Sequence, residues 1–142
     1  MSLKIKNGSF KIETAGFGDI LDITRQVEIE LLESSLVDGN ATVFVSGSTA
    51  GITTIEYEPG AVDDLKKAIE RQAPADIHYA HDARWGDGNG FSHVRAALMG
   101  ASLTVPFLAG KIQLGIWQQI ILCDFDNRAR TRSILIQMIG VS

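Results

Sequence analysis

"LGIWQQIILCDFDNRARTRSILIQMIG", from Leu114 to Gly140, is the stretch whose reading decides the fold. Two runs rich in β-branched and large apolar residues, LGIWQQIILCDFD and TRSILIQMIG, stand on either side of the polar NRAR. Composition of this kind favours extended chain, so two long strands are predicted. Arg128, Arg130 and Arg132 are spaced by two, which puts all three on one face of a regular strand. That face continues into Ile134, Ile136 and Met138. Arginines in line with a partly buried face need an anionic partner: a carboxylate, a neighbouring subunit or a ligand phosphate. The other reading is an exposed strand end whose arginines face water.

Working outward, SLTVPF reads as a strand and Gly110 as a turn after it. FSHVRAALM reads as a short helix with Val94, Ala97 and Leu98 as its apolar face and Gly100 at its end. Between Pro74 and Gly90 neither a period of 3.6 nor of 2 is visible, so a loop is expected, and one this long needs a function. AVDDLKKAIERQ is a helix with Val62, Leu65 and Ile69 on one side, stopped by Pro74. ATVFVS and GITTIEYE read as two strands joined near GSTA, the second broken at Pro59-Gly60. DITRQVEIELLESSL places Ile23, Val27 and Leu31 on one stripe beside Leu32, with Asp22 as a candidate cap and VDGN as the terminator. KIKNGSFKIET is strand material with a candidate hairpin at Asn7-Gly8. Strands gathered around two to three helices, with no strict βαβ alternation, predict an α+β fold with a largely antiparallel sheet. The whole chain, 1–142, is expected to be a single compact domain.

Charge and cysteine content narrow the function. A net charge of -4 argues against nucleic acid as a partner, because such binding draws on a basic surface. No apolar run approaches the roughly 20 residues that span a bilayer, so no membrane partner is expected. The single Cys123, inside IILCDF, excludes an intramolecular disulfide, fits the cytoplasm, and reads as a buried small hydrophobe.

The candidate chemistry lies in HDARWGDGNGFSHVRAALMGAS, His81 to Ser102. His81, Asp82, Asp87 and His93 offer the imidazole and carboxylate groups that hold a divalent metal, zinc or magnesium. The alternative is that Asp82 and Asp87 stabilise turns and His93 lies in a first helical turn. DGNG before a helix lets the backbone approach a ligand, and first-turn N–H groups favour an anion. Glu56 shares strand parity with Ile52 and Thr54, so it lies on a polar face or is a carboxylate brought into a pocket. Trp85 and Trp117 read first as packing residues, Trp85 being the better candidate for a ligand contact.

GSTAGITTIEYEPG, HDARWGDGNGFSHVRAALMGASLTVPF and GKIQLGIWQQIILCDFDNRARTR together resemble the YjbQ-like family, also called the secondary thiamine-phosphate synthase family. The resemblance covers nearly the whole chain. It implies a YjbQ-like α+β domain assembled as a homotrimer, with polar motifs near subunit boundaries. It also implies an activity joining a pyrimidine diphosphate to a thiazole phosphate with release of pyrophosphate. By position, His81, Asp82, Asp87, Asn89, Ser92 and His93 match the family's polar cluster, Ser48, Thr49 and Glu56 its upstream block, and Gln118 follows the matched Trp117. The chain departs from the commoner pattern at Gly47, Gly86 and Phe91, where histidine is frequent, and at Ile116, where threonine is usual.

Two functions follow from this reading. One is a transferase in which His81, His93 and Asp82 or Asp87 hold a metal that neutralises a diphosphate. In it the Gly88-Asn89-Gly90-Phe91-Ser92 backbone and Arg130 or Arg132 grip phosphate, Ser48, Thr49 and Gln118 contact substrate, and Glu56 orients it or moves a proton, with Glu56, His81, Asp82 and His93 as the catalytic set. The other is a non-catalytic module that binds a phosphorylated metabolite or a metal, which the four departures favour.

Overall fold

A computed structural model describes residues 2–142. The order is β1 (Lys4–Thr14), β2 (Asp19–Asp22), α1 (Thr24–Ser34), β3 (Asp38–Val45), β4 (Ala50–Ile55), α2 (Pro59–Gln72), α3 (Ala80–Trp85), α4 (Gly90–Met99), β5 (Ser102–Leu108), β6 (Lys111–Ile112), β7 (Gln119–Asp124) and β8 (Arg130–Val141). All strand pairs are antiparallel. They form a five-stranded sheet, β1-β8-β3-β5-β6, and a three-stranded sheet, β2-β7-β4. The single α+β domain expected from the sequence is what is found.

The two decisive runs become inner strands of the two sheets, β8 in the larger and β7 in the smaller, and their burial records where each sheet lies. In β8, Arg132, Ile134, Ile136 and Met138 are buried while Ser133, Leu135, Gln137 and Ile139 are exposed, because the larger sheet is covered on one face only. In β7, Ile120, Ile121, Leu122 and Cys123 are all buried. That strand has Ile120 and Leu122 in the core between the sheets, and Ile121 and Cys123 in a second cluster under α2 and α4. Burial pushes the Cys123 thiol up to about 12, so it is an inert packing residue. No helix among the described residues is long and apolar enough to cross a membrane.

Four expectations require correction. Asn7-Gly8 is not a turn: both residues sit in the middle of an unbroken ladder, opposite Gln137 and Ile136, because the long β8 offers β1 a full-length partner. Asp38-Gly39-Asn40 does not merely terminate α1 but opens β3. α1 stops earlier, at Ser35 in the left-handed conformation. The two strands expected to be joined near GSTA are found as β3 and β4, linked by the segment 46–49, and they fall in different sheets. The expected loop before Gly90 contains a helix, α3, raising the helix count to four; six residues are too few to display a period. Finally, α4 buries Phe91, Ser92 and Ala96, leaving Val94 and Leu98 40% and 63% exposed. Gly51 of β4 is the cause: a Cβ there would come within 2.9 Å of Met99 Sδ, so its absence lets the Ala96–Met99 side of the helix pack down.

Pro59 does not break β4, which already ends at Ile55; it starts α2, where its missing N–H costs nothing. Glu58 caps that helix by accepting from the N–H groups of Gly60 and Ala61. Asp22 accepts from Thr24 N–H, one residue short of the cap position expected for it.

Candidate functional site

The strand β7 ends at Asp124, and the residues after it, Phe125-Asp126-Asn127, run beneath the α3–α4 connection. Gly86 takes the left-handed conformation that closes α3, and the chain turns through Asp87-Gly88-Asn89 into α4. Two bonds fix the turn: Gly90 N–H donates to Asp82 Oδ1 at 2.8 Å, and Asn127 Nδ2 donates to the Asp87 carbonyl at 2.8 Å. The result brings His81 and His93 together, with ring centroids 4.4 Å apart. His81 Nδ1 lies 3.2 Å from Asp87 Oδ1 and 3.7 Å from Asp82 Oδ1. One ligand atom from each of His81, Asp82 and Asp87 falls within 4.8 Å of the others.

Among the described residues, two buried side-chain atoms of the site lack a hydrogen-bond partner, Asn89 Oδ1 and that nitrogen. His81 Nδ1 is buried and has no hydrogen-bond partner among the described residues. A bare imidazole lone pair facing two carboxylates is repelled by both; a proton or a metal ion on the nitrogen removes the conflict. One imidazole and two carboxylates form a donor set that fits a borderline divalent ion such as zinc better than magnesium, which prefers oxygen and retained water. His93, stacked against His81, is positioned beside this trio.

Beneath the cluster is a lattice of buried charge. Asp124 accepts from Arg132 Nε and Nη2 at 2.7 and 2.8 Å and from Thr14 Oγ1 at 2.5 Å. Asp126 accepts from Arg130 Nε at 2.7 Å, Thr49 Oγ1 at 3.1 Å, Asn89 Nδ2 at 3.3 Å and its neighbour Asn127 N–H at 2.8 Å. Arg132 Nη2 also donates to Thr49 Oγ1 at 2.7 Å. Both aspartate side chains are fully buried. Burial opposes their ionisation, but the arginine and hydroxyl or amide donors overcome it. Asp124 is held below the usual carboxylate range, and Asp126 falls to about 2.

This lattice answers the question raised by the arginines. Of the three possible anionic partners, Arg130 and Arg132 take carboxylates of the same chain. Arg128 does not join them; it precedes β8 and is exposed. The sequence reading missed Asp124 and Asp126, although a signal was present. They are spaced by two, as Arg130 and Arg132 are, across a short polar link, the pattern of charges paired between adjoining extended segments.

The remaining predicted residues divide into two groups. Thr49, Asn89, Ser92, Arg130 and Arg132 gather around Asp124 and Asp126. Ser92 is fully buried and its hydroxyl donates to the Phe125 carbonyl, while Gly90 N–H is taken by Asp82; both bind the frame together. Gly88 adopts a left-handed φ of 69° in the turn. Ser48 is exposed at the rim of an open depression of about 350 Å³, lined also by Gly47, His93 and Ala97. Gly47 has a φ of 130°, and a Cβ on it would lie 2.8 Å from Arg132 Nη1. The bare Gly47 thus leaves room beside the one guanidinium nitrogen that Asp124 and Thr49 do not engage.

Glu56 and Gln118 belong to the second group, at the far end of the three-stranded sheet. Ala50 pairs with Asp124 and Ile55 with Gln119, so Glu56 lies beyond the opposite end of β4, at least about 16 Å along the strand from Ala50. Glu56 is exposed. Gln118 Nε2 donates to Thr54 Oγ1 at 3.1 Å, and Gln118 Oε1 accepts from Gly115 N–H at 3.0 Å. Neither touches the histidine cluster of its own chain. Trp85 and Trp117 do not pack in the core: they are 67% and 71% exposed.

Comparison with known proteins places this arrangement. The family model described as UPF0047 protein YjbQ-like matches residues 8–141. A UPF0047 protein of Methanothermobacter thermautotrophicus is 33% identical over 138 residues, covering 97% of this chain and 94% of that protein. UPF0047 protein YugU of Bacillus subtilis is 35% identical over 133 residues, covering 93% and 98%. Among solved structures, a YbjQ-like protein of unknown function from Sulfolobus solfataricus superposes with a TM-score of 0.93 at 29% identity, covering 98% of this chain and 99% of that one.

Proposed function

The chain belongs to the UPF0047 YjbQ-like family, and from that membership we propose a metal-assisted transferase acting on phosphorylated small molecules, of the thiamine-phosphate synthase type. The observation that carries the reading is the buried, unpartnered His81 Nδ1 between two carboxylates. His81, Asp82 and Asp87 would hold the metal, with His93 beside them, and the metal when bound would offset the charge of a diphosphate. The depression beside His93 and Ser48 receives the substrate. Arg130, whose side chain keeps about a third of its surface exposed, is the cation best able to meet a phosphate oxygen; Arg132 offers only its nitrogen beside Gly47. Asp126 fixes Arg130 and Asn89, so the phosphate-facing groups are positioned before substrate arrives.

A homotrimer is part of the proposal. Glu56 and Gln118 match the family pattern yet lie away from the cluster of their own chain, so they serve a site only if another copy presents them. Exposed apolar residues flank both groups, Val94 and Leu98 near His93, and Ile116 and Trp117 before Gln118. Closed rotation about one axis, pairing one patch with the other, gives each cluster the Glu56 of a neighbour.

The test combines zinc and manganese titration of the wild type and of His81→Ala with an assay for thiamine phosphate formed from its two halves. Metal binding that disappears in His81→Ala, together with activity that requires the metal, is expected. Metal binding without turnover would favour the second reading, a module that binds a phosphorylated metabolite or metal. The pairing of Arg132 with Asp124, which reduces its charge toward a ligand, favours that reading too.

A further inference from the structure

Apart from the histidine cluster, Phe125 also lines a groove beside the loop before β2. The segment Gly16-Phe17-Gly18 has three consecutive positive φ values, 73°, 55° and 80°. Such values are ordinary for glycine and strained for phenylalanine. The backbone compels them: Phe17 N–H donates to the Asp126 carbonyl at 2.6 Å and Gly18 N–H to the Asp124 carbonyl at 2.8 Å. An asparagine or glycine would suit position 17 better, and the aromatic ring gains no compensating burial, being 73% exposed. Strain maintained without a packing return points to a task for the side chain.

What Phe17 stands over is a groove of about 180 Å³. Ile20, Ile69 and Phe125 form its apolar floor, and Lys66 and Arg95 bring positive charge to it. Lys66 makes no ion pair among the described residues. Arg95 is nearly buried, donates to the Ala73 carbonyl and to Glu70, and lies over the Phe91 ring at 4.9 Å. Glu70, half exposed on the rim, offsets Arg95 but leaves Lys66 uncompensated. A cavity of about 150 Å³ lined by apolar side chains holds one benzene ring, so the size suits a single ring and not a fused system.

We propose that the groove between the Phe17 loop and α2 is a binding site for a small planar aromatic anion, its ring stacked on Phe17 and its carboxylate or phosphate on Lys66. Offset stacking on an exposed phenylalanine and a lysine charge beside an apolar floor are complementary to that one ligand class. The site is separate from the histidine cluster: none of His81, Asp82, Asp87 or His93 lines it.

The test is fluorine NMR of 4-fluorobenzoate against the whole protein, with 4-fluorobenzamide as the uncharged control. Expected is saturable benzoate binding, at least tenfold weaker benzamide binding, and loss of at least tenfold in benzoate affinity in both Phe17→Asn and Lys66→Gln. Asparagine tolerates the left-handed backbone, so Phe17→Asn keeps the loop and unfolds no more easily than the wild type, which a thermal melt records. His93→Ala is expected to bind benzoate as the wild type does. Absence of binding, equal affinity in Phe17→Asn, or benzoate binding that is lost in His93→Ala would each overturn the proposal. None of these results depends on whether the histidine cluster binds metal.

Discussion

The two ends of the three-stranded sheet are built on opposite plans. At the Asp124 end, carboxylates, the Arg132 guanidinium, hydroxyls and an amide are buried, and with the partly exposed Arg130 they are bonded to one another. At the Gln119 end, the chain enters the sheet from Ile116 and Trp117, 84% and 71% exposed, and Glu56 stands in solvent. Residues of the same family pattern occur at both. The closed end is complete within one chain, whereas the open end is the one that the proposed assembly would complete. Substitutions at the first should therefore act on the fold, and substitutions at the second on assembly and activity.

The largest expected effect tests the closed end. Arg132→Ala leaves the Asp124 carboxylate buried without its two-pronged partner, and breaking a buried pair from one side costs about 3–5 kcal/mol. Urea unfolding should show a loss of that size. The double variant Arg132→Met with Asp124→Leu, which removes both charges, should recover a large part of it. If Arg132→Ala costs less than about 1 kcal/mol, the lattice does not hold this end together.

This contrast also explains what the sequence revealed. The strands around Ile120 and Ile134 were legible because apolar composition and alternation are local signals. For Arg130 and Arg132 the sequence left two readings, anionic partners or an exposed strand end, and the fold decides for the first. Their partners, Asp124 and Asp126, were not legible, since they look like the polar end of an apolar run until the fold sets the two segments side by side. The apolar face of α4 was misread because Gly51, remote in sequence, decides which side packs. At the site, the spacing of His81 and His93 allowed convergence without requiring it. Convergence comes from α3, whose six residues carry no readable period.

Asp126 should produce the next largest effect, with a characteristic pH dependence. Its pKa is about 2 in the folded chain and about 3.9 when unfolded. A depressed folded value contributes stability that is fully present above the unfolded pKa and is lost as pH falls through the folded one. The contribution is about 2 kcal/mol at neutral pH, disappearing between about pH 4 and 2. Asp126→Asn should lose it at neutral pH and show a flatter stability profile across that acid window. Parallel profiles for the two proteins would contradict the lattice as drawn.

His93→Ala lies between the two plans, since the imidazole is half-buried but belongs to the lattice through no hydrogen bond. Its stability cost should stay within about 1 kcal/mol. Loss of a group at the reacting phosphate commonly costs on the order of a hundredfold in rate, and that is the effect expected on thiamine phosphate formation. An equal rate in variant and wild type would remove His93 from the site.

The smallest effect on the fold belongs to the open end, and it separates the two plans most clearly. Trp117 is 71% exposed, so replacing it with alanine removes little burial from a single chain, and a surface change of this kind usually alters stability by less than about 0.5 kcal/mol. In an assembly the same side chain is a large aromatic at the contact, where a few such residues carry most of the association energy. Trp117→Ala should therefore leave the unfolding of the separated chain unchanged while lowering the mass measured by light scattering from three chains toward one. If a neighbour presents Glu56, as proposed, activity should fall with the trimer and return as protein concentration is raised. Light scattering that gives one chain for the wild type at all concentrations would end the shared-site proposal. Trimers of undiminished stability in Trp117→Ala would move the contact elsewhere, with the uncharged outer face formed by Phe44, Leu135 and Ile139 as the next surface to test.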